Sequence, residues 1–489
     1  MILKMKNTKP NIVFVTADQW RGDCIGFLNR HPVMTPHINQ LANEGVSFTQ
    51  AYADCPVCMP QRVTFLTGKS GSRTGVTRNT ENRLPIDPHT SLPGILTREG
   101  GYQTKAIGKM HFNPDRARFG FEHITLHPND YVNWLEDTEY KGLYRGHGLG
   151  GNEVYPAESS VPEQFTHTNW IVDEGIRFLE QRDPDTPFFL WMVFEAPHSP
   201  FDPPESYVRL YENITIDDPV YGNWDADEIP FLYERNRPQK FSPLQEEMLK
   251  ETKRRYYAQI THIDYQLGRF FGELHSKGLY ENTIIVFTSD HGEHLGDHGL
   301  FGKASFLNSS ANVPLIMSLP SNIPLAENGL KIDIPVLTAD IYPTLLEMAG
   351  LPVVEEVDGV SLTQRIATGK GDEDRIIFGE FGKESGTCFA HNGRYKYIYY
   401  NTGGKEQLFD AIKDKDDKVD LAKLPAYQDI KEELKSQLEK YLDYHSSPKI
   451  YNGKLKVSEI IQNNQPLKRG NPFALRGPLR YGQGYGGLK

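Results

Sequence analysis

The chain has 489 residues, enough for a large core and more than one domain. Its net charge of −11 and the lack of an apolar run long enough to span a bilayer argue against a nucleic-acid binder and against membrane insertion. Four cysteines in this length make no disulfide scaffold.

Met1 to Pro10 carries lysines but no apolar h-region. As read, the chain is expected to be cytoplasmic; an export segment ahead of it would make it periplasmic. Asn11 to Thr16 is nearly continuous, apolar and β-branched, and reads as a buried strand. It ends at Ala17-Asp18-Gln19. A carboxylate at the C-terminal end of a first strand is where open α/β sheets build sites, although an Asp capping the next helix is the blander reading. Thr35 to Gly45 has a helix's start and stop signals, and Ser47 to Tyr52 reads as a strand.

Next comes Cys58-Met59-Pro60-Gln61-Arg62, then Thr67-Gly68. Pro60 fits the first turn of a helix. Cys58 then sits at a helix N-terminus, where N–H groups and the dipole favour an anion or a polarised oxygen. Arg62 follows four residues on. Cys55-Pro-Val-Cys58 also reads as a redox pair or half a zinc site, or Cys58 as a small buried hydrophobe. Arg73 to Arg83 is a polar loop, in which Arg78, Asn79 and Arg83 are candidates to hold a polar substrate.

Ser91 to Glu99 reads as helix and Tyr102 to Ile107 as strand, leading to Gly108-Lys109-Met110-His111. A compact cation beside an imidazole suits an oxyanion. Asn113 to Val161 lacks clear periodicity and reads as long loops over the site. Thr168 to Gln181 is an amphipathic helix. Pro187 to Phe194 is a core strand ending in Glu195-Ala-Pro-His198. Pro203 to Pro243 reads as a surface excursion, and Gln245 to His275 as a long helix with one apolar face.

The strand Thr283 to Thr288 ends in Ser289-Asp290-His291-Gly292-Glu293, followed by His294, Asp297, His298 and Lys303. Either this whole cluster is a zinc site, or only its first pair binds metal. Val313 to Leu319 reads as strand and Leu337 to Ala349 as helix. Ile376 to Glu380, Thr387 to His391 and Tyr395 to Tyr400 are short strands, Asp414 to Lys418 a solvated charged turn, and Ile430 to Tyr444 a closing helix. The expected fold is α/β: a large, mostly parallel or mixed sheet sandwiched by helices over 1–370. A small α+β subdomain with an antiparallel sheet over 371–462 and a tail over 463–489 complete it.

Taken together, C-x-P-x-R…T-G at Cys58, Lys-x-His at Lys109, and S-D-H-G-E…L-G-D-H-G…K from Ser289 to Lys303 resemble the formylglycine-dependent sulfatases of the alkaline-phosphatase-like superfamily. Met59 and Gln61 depart from the commonest signature, while Cys58, Pro60 and Arg62 keep it. His291 stands where many sulfatases have Asn, and resembles the phosphonate monoester hydrolases and some carbohydrate sulfatases.

The resemblance implies that a maturation enzyme oxidises Cys58 to formylglycine. It implies one divalent cation, calcium before magnesium or manganese, held by Asp18, Gln19, the modified Cys58, Asp290 and His291. Arg62, Lys109, His111, His198 and Lys303 would serve catalysis. The implied substrate is a sulfated saccharide such as a 2-O-sulfated uronate. A phosphonate monoester or phosphodiester hydrolase on the same scaffold is the nearest alternative. A non-catalytic carbohydrate-binding protein is disfavoured, because every expected catalytic position carries a usable group.

Overall fold

The computed structural model describes residues 9–459, apart from 237, 239, 354, 355 and 372. The tail expected at 463–489 lies outside the described residues.

Strand β1 (Asn11–Asp18) is buried at every position and pairs in parallel on both sides. Burial on two faces is why its sequence is an apolar run rather than an alternation. Helix α1 (Pro36–Glu44) follows, then β2 (Val46–Phe48), β3 (Ala51–Tyr52) and α2 (Cys58–Thr67). Helix α3 (Leu92–Arg98) leads into β4 (Gln103–Gly108), β5 (His123–Leu126) and α4 (Asn129–Glu136). Helix α5 (His167–Gln181), β6 (Phe188–Pro197), α6 (Pro230–Asn236) and the long α7 (Pro243–Ser276) come next. Strands β7 (Thr283–Ser289), β8 (Leu315–Ser318), β9 (Leu330–Ile332) and β10 (Val336–Leu337) and helix α8 (Ile341–Met348) complete the larger part.

The large sheet has the order β5-β4-β6-β1-β7-β8-β2-β9. Strands β5, β4, β6, β1 and β7 are mutually parallel, and β8 runs antiparallel to both neighbours, so the sheet is mixed. Alternate residues of β1 feed two cores. Val13, Val15 and Ala17 pack with α1, α5 and α7, while Ile12 and Phe14 pack with α2, α3 and α8. Phe14 meets Phe65 of α2 edge-on at 5.3 Å and stacks on Trp191 of β6 at 5.6 Å. Each such aromatic pair adds about 0.5–1.5 kcal/mol beyond area burial, and here they press the helix that begins at Cys58 onto the sheet.

A second sheet is antiparallel: β11 (Ile377–Phe381), β12 (Thr387–His391), β13 (Tyr395–Tyr400) and β14 (Lys405–Asp410), in that order. Helix α9 (Gln428–Tyr444) covers it through Leu434, Leu438 and Leu442, which pack on Cys388, Tyr397 and Leu408.

Several expectations change. Ser47 to Tyr52 is not one strand. Thr49 N donates to Ile332 O at 3.0 Å and the Gln50 side chain to Asp333 O at 3.2 Å, which bends the chain. Strand β2 therefore joins the large sheet, and β3 pairs separately with β10. The stretch from Asn113 to Val161 contains β5 and α4, whose buried Tyr131 and Leu135 are four residues apart on one face. The expected helix from Leu337 starts later, after a tight turn at Thr338–Asp340. The stretch from Asp414 to Lys418 is not simply solvated: Asp417 is buried and bonds Lys396 Nζ at 2.9 Å. Strand β14, with its polar opening, adds a fourth member to the second sheet.

Candidate active site

Four adjacent strands of the large sheet, in the order β4-β6-β1-β7, end on one edge. Each end delivers a polar residue: Lys109 and His111 after β4, His198 after β6, Asp18 at the end of β1, and Asp290 and His291 after β7. Helix α2 points its N-terminus at the same place. Gly108 has φ +107, and a Cβ there would lie 2.0 Å from Val193 O, so only glycine lets β4 approach β6 closely enough to place Lys109.

The groups converge tightly. Cys58 Sγ lies 3.1 Å from His291 Nε2 and 3.7 Å from Asp18 Oδ1. One ligand atom from each of Asp18, Cys58, Asp290 and His291 lies within 4.8 Å of the others, and all four residues are buried. His291 Nδ1 pairs with Gly292 O at 3.0 Å, which leaves Nε2 facing Cys58. Arg62 Nη2 donates to Asp18 Oδ2 at 2.9 Å and to Asp290 Oδ2 at 3.1 Å. Lys109 Nζ lies 2.8 Å from Asp18 Oδ2.

Burial and the neighbouring Asp18 charge raise Asp290 to about 6. Burial also raises Asp18, but Lys109, His198 and Arg62 outweigh it and hold that carboxyl well below its usual range. Two carboxylates squeezed together in this way fit a cation, which lets both ionise. Burial and Asp18 push the Cys58 thiol up; Lys303, His291 and His111 outweigh them and bring it well below normal. Arg62 Nε and Nη1 and His111 Nδ1 are buried without a hydrogen-bond partner among the described residues. Unused donors at such a place suit a bound oxyanion.

Lys303 Nζ donates to Gln19 Oε1 and His198 Nε2, both at 2.6 Å. His198 Nδ1 pairs with Ser199 O at 2.8 Å. Burial, Lys303 and Lys109 bring His198 down to about 3, so it is neutral at pH 7, and with Nδ1 given to Ser199 O its Nε2 accepts from Lys303. Gln19 and His111 both hold left-handed backbone, φ 74 and φ 51, a strain that non-glycine residues carry where a site demands it.

Not every expectation lands in the cluster. The Gln19 carboxamide spans Lys303 and Glu293, and its backbone N–H donates to Asp290 Oδ1 at 3.1 Å. Asn79 Oδ1 accepts from Met59 N at 3.1 Å and so steadies the first turn of α2. Arg78 is exposed beside it. Arg83 stacks over Phe119 at 5.6 Å, away from these two. The further cluster after His291 is spent on other bonds. Asp297 pairs with Arg21 at 2.7 Å, His294 with Ser309 at 2.8 Å, and His298 with Asp416 O at 3.0 Å. All four cysteines are free, so Cys55 and Cys58 form no disulfide.

Sequence reasoning missed Glu195 and Glu293. Glu195 binds Arg145 at 2.8 Å and Tyr144 at 3.1 Å, and lies 3.5 Å from Lys109 Nζ. It thereby ties the loop around residue 145 to the site. A carboxylate at the end of an otherwise apolar strand was the available signal. Glu293 accepts from Leu295 N and Gly302 N, and so closes the loop that delivers Lys303.

A profile of the sulfatase family matches residues 10–351, and one for the C-terminal region of N-sulphoglucosamine sulphohydrolase matches 296–443. The chain belongs to the sulfatase family. This sulfatase is 34% identical over 475 residues to an arylsulfatase of Clostridium perfringens (strain 13 / Type A), with 89% of this chain and 95% of that one covered. It is 28% identical over 457 residues to an ulvan-active sulfatase of Formosa agariphila, covering 89% and 81%. A solved phosphonate monoester hydrolase of Agrobacterium radiobacter matches with a TM-score of 0.77 at 26% identity, over 89% of this chain and 96% of that one. The sulfatase is a sulfuric ester hydrolase with an alkaline-phosphatase-like fold. Among its described residues, no helix is long and apolar enough to cross a membrane.

Proposed function

We propose that the protein hydrolyses the sulfate ester of a sulfated saccharide, such as a 2-O-sulfated uronate, using a formylglycine that a maturation enzyme makes from Cys58. The observation that carries this reading is the position of Cys58: at the head of α2, 3.1 Å from His291 and 3.7 Å from Asp18, with Arg62, Lys109 and Lys303 around it.

Asp18, Asp290 and His291, with the modified Cys58, would hold one divalent cation; Gln19, whose carboxamide is engaged by Lys303 and Glu293, stands outside that set. Their oxygen-rich set favours calcium, with magnesium or manganese as alternatives. Such a cation supplies Lewis-acid polarisation of oxygens bound to it. Arg62 and Lys109 neutralise charge on the sulfuryl oxygens and keep Asp18 ionised. With Cys58 as formylglycine, its hydrate would supply the oxygen nucleophile to sulfur, the attacking hydroxyl's proton passing to water as the ester S–O bond breaks, while Lys303, steadied by His198, would give the leaving alcohol its proton. His111 would take the proton of the second hydroxyl as the C–O bond to sulfate breaks and the aldehyde is restored, and water would return a proton to Lys303. An unmodified Cys58 has no second hydroxyl and stops at this stage.

The mass of the Cys58 peptide, from protein made in its native host, tests the reading. Replacement of the thiol by an aldehyde supports it; an intact thiol in active protein overturns it. A phosphonate monoester hydrolase is the second reading, favoured by His291 and by the likeness to the Agrobacterium radiobacter enzyme. Parallel assays with a sulfate ester and a phosphonate ester separate the two.

A further inference from the structure

The loop after α2 meets the turn between β11 and β12 above the head of that helix. Gly382 N donates to Thr77 O at 2.8 Å, and Lys449 Nζ grips the Gly382 carbonyl from below while pairing with Glu380 at 2.9 Å. Two residues earlier, within β11, Glu380 N donates to Asp54 O at 3.0 Å. These bonds set the second sheet against the segment that leads to Cys58.

Between the two parts opens a cleft of about 600 Å³, a size typical of sites for small ligands. Val57, which precedes the nucleophile, and Asn79, which bonds the first turn of α2, line it. Arg78, Arg235 and Lys383 also line it, together with the rings of Phe231 and Phe381. Arg235 stacks over Phe381 at 5.5 Å. Glu234 is the one acid among the lining residues. None of the three cations has a carboxylate within 4.0 Å among the described residues.

In a chain of net charge −11, three cations without ion-pair partners in one cleft are a local positive field beside the reactive centre. They come from three separate segments: the 78–83 loop, α6 and the β11–β12 turn. Arg62, Lys109 and Lys303 already serve the ester itself, so the cleft cations are free for a different anion. The flanking phenylalanines give the apolar wall against which a ring can lie.

Resting on the reading above, we propose that this cleft selects saccharides carrying a second anionic group besides the scissile ester, either a carboxylate or another sulfate. Arg235 and Lys383 bind that group, and Arg78 holds the ring between it and Cys58. The substrate is thus at least doubly anionic.

The test uses the full, matured protein and three sulfated disaccharides of the same linkage. One is otherwise neutral, one carries a uronic acid and one carries a second sulfate. The wild type is expected to favour the doubly anionic substrates in kcat/KM by at least about tenfold, the worth of one charge-assisted hydrogen bond. Arg235→Gln and Lys383→Gln each lose about that factor of preference, chiefly through KM, and raised ionic strength lowers it in the wild type. Whichever anionic substrate shows the larger loss identifies the group bound. Both side chains are exposed, and melting curves of the two variants establish that they stay folded. Equal kcat/KM on all three disaccharides, or an unchanged preference in both variants, overturns the cleft assignment and leaves the sulfatase reading standing. Failure to cleave any of the three, with phosphonate esters cleaved, overturns both.

Discussion

Lys303 Nζ stands 2.6 Å from His198 Nε2, across 105 residues of sequence. With His198 brought to about 3 by burial and the two nearby lysines, its ring is neutral at pH 7, and with Nδ1 bonded to Ser199 O its Nε2 accepts from Lys303. The pair is therefore a lysine donor braced by a neutral imidazole acceptor.

Lys303→Ala removes that donor. Turnover on a saccharide sulfate is expected to fall about 100- to 1000-fold, roughly 3–4 kcal/mol of barrier, with unchanged circular dichroism. An aryl sulfate with an acidic phenol leaves without help, so the loss there is expected to be smaller. Equal losses on both substrates would assign Lys303 to sulfate binding instead. Lys109→Ala and His198→Ala are likewise expected to fall severely in turnover while staying folded.

Chelation is expected to abolish activity and lower the melting temperature, because a cation that binds only the folded state stabilises it, by about 2.7 kcal/mol at a hundredfold excess over Kd. Asp290→Asn removes one ligand and is expected to weaken calcium binding in titration calorimetry. A melting curve indifferent to chelator and to added calcium would remove the cation from this site.

Asp54 gives a pH test outside the metal cluster. Burial pushes its carboxyl up to about 7, and its Oδ1 has no hydrogen-bond partner among the described residues. The folded state therefore holds a proton between about 4 and 7 that the unfolded state has released. That contribution to stability is full below the unfolded value and is lost as pH rises through about 7. Asp54→Asn is permanently neutral. Relative to the wild type, it is expected to gain stability between pH 5 and pH 8, on the order of 3 kcal/mol. A difference in melting temperature that stays constant across this range would place the Asp54 carboxyl near its ordinary value.

Asp417 and Lys396 form a buried pair at 2.9 Å, and Asp417 also accepts from Asn308 N, joining the second sheet to the segment before β8. Asp417→Ala strands a buried ammonium and is expected to cost about 3–5 kcal/mol in denaturant unfolding. Replacing both partners by apolar residues is expected to recover part of that loss. A cost near zero for the single change would return this turn to the solvent.

Much of this site was legible locally. The apolar runs at Ile12 to Val15 and Ile284 to Phe287 announce buried strands, and a polar residue follows each one. The helix that begins at Cys58 is signalled by Pro60 and stopped at Gly68, whose φ is +65. Less legible were residues whose role depends on a distant partner. Nothing around Thr49 and Gln50 announces that Ile332 and Asp333 will bend the chain there. Asp417 looks solvated until Lys396 is brought beneath it. Arg83 resembles Arg78 in sequence context, yet Phe119 claims it.

The sequence alone determined the core strands β1, β4, β6 and β7 and the helices α1, α2, α5 and α7, because period and capping act within a few residues; β5, α4 and β14 were not legible in this way. It also determined which polar residues stand at the strand ends, and the motifs at Cys58, Lys109 and Ser289 marked their family. Only the tertiary structure decided that β4, β6, β1 and β7 lie side by side, and that Arg62 bridges Asp18 and Asp290, the second pair 228 residues apart in the chain. The neutrality of His198 and the free cations of the cleft were decided there too. Strand order, desolvation and ion pairing are set by what packs against each group across the whole fold, and local sequence does not encode those neighbours.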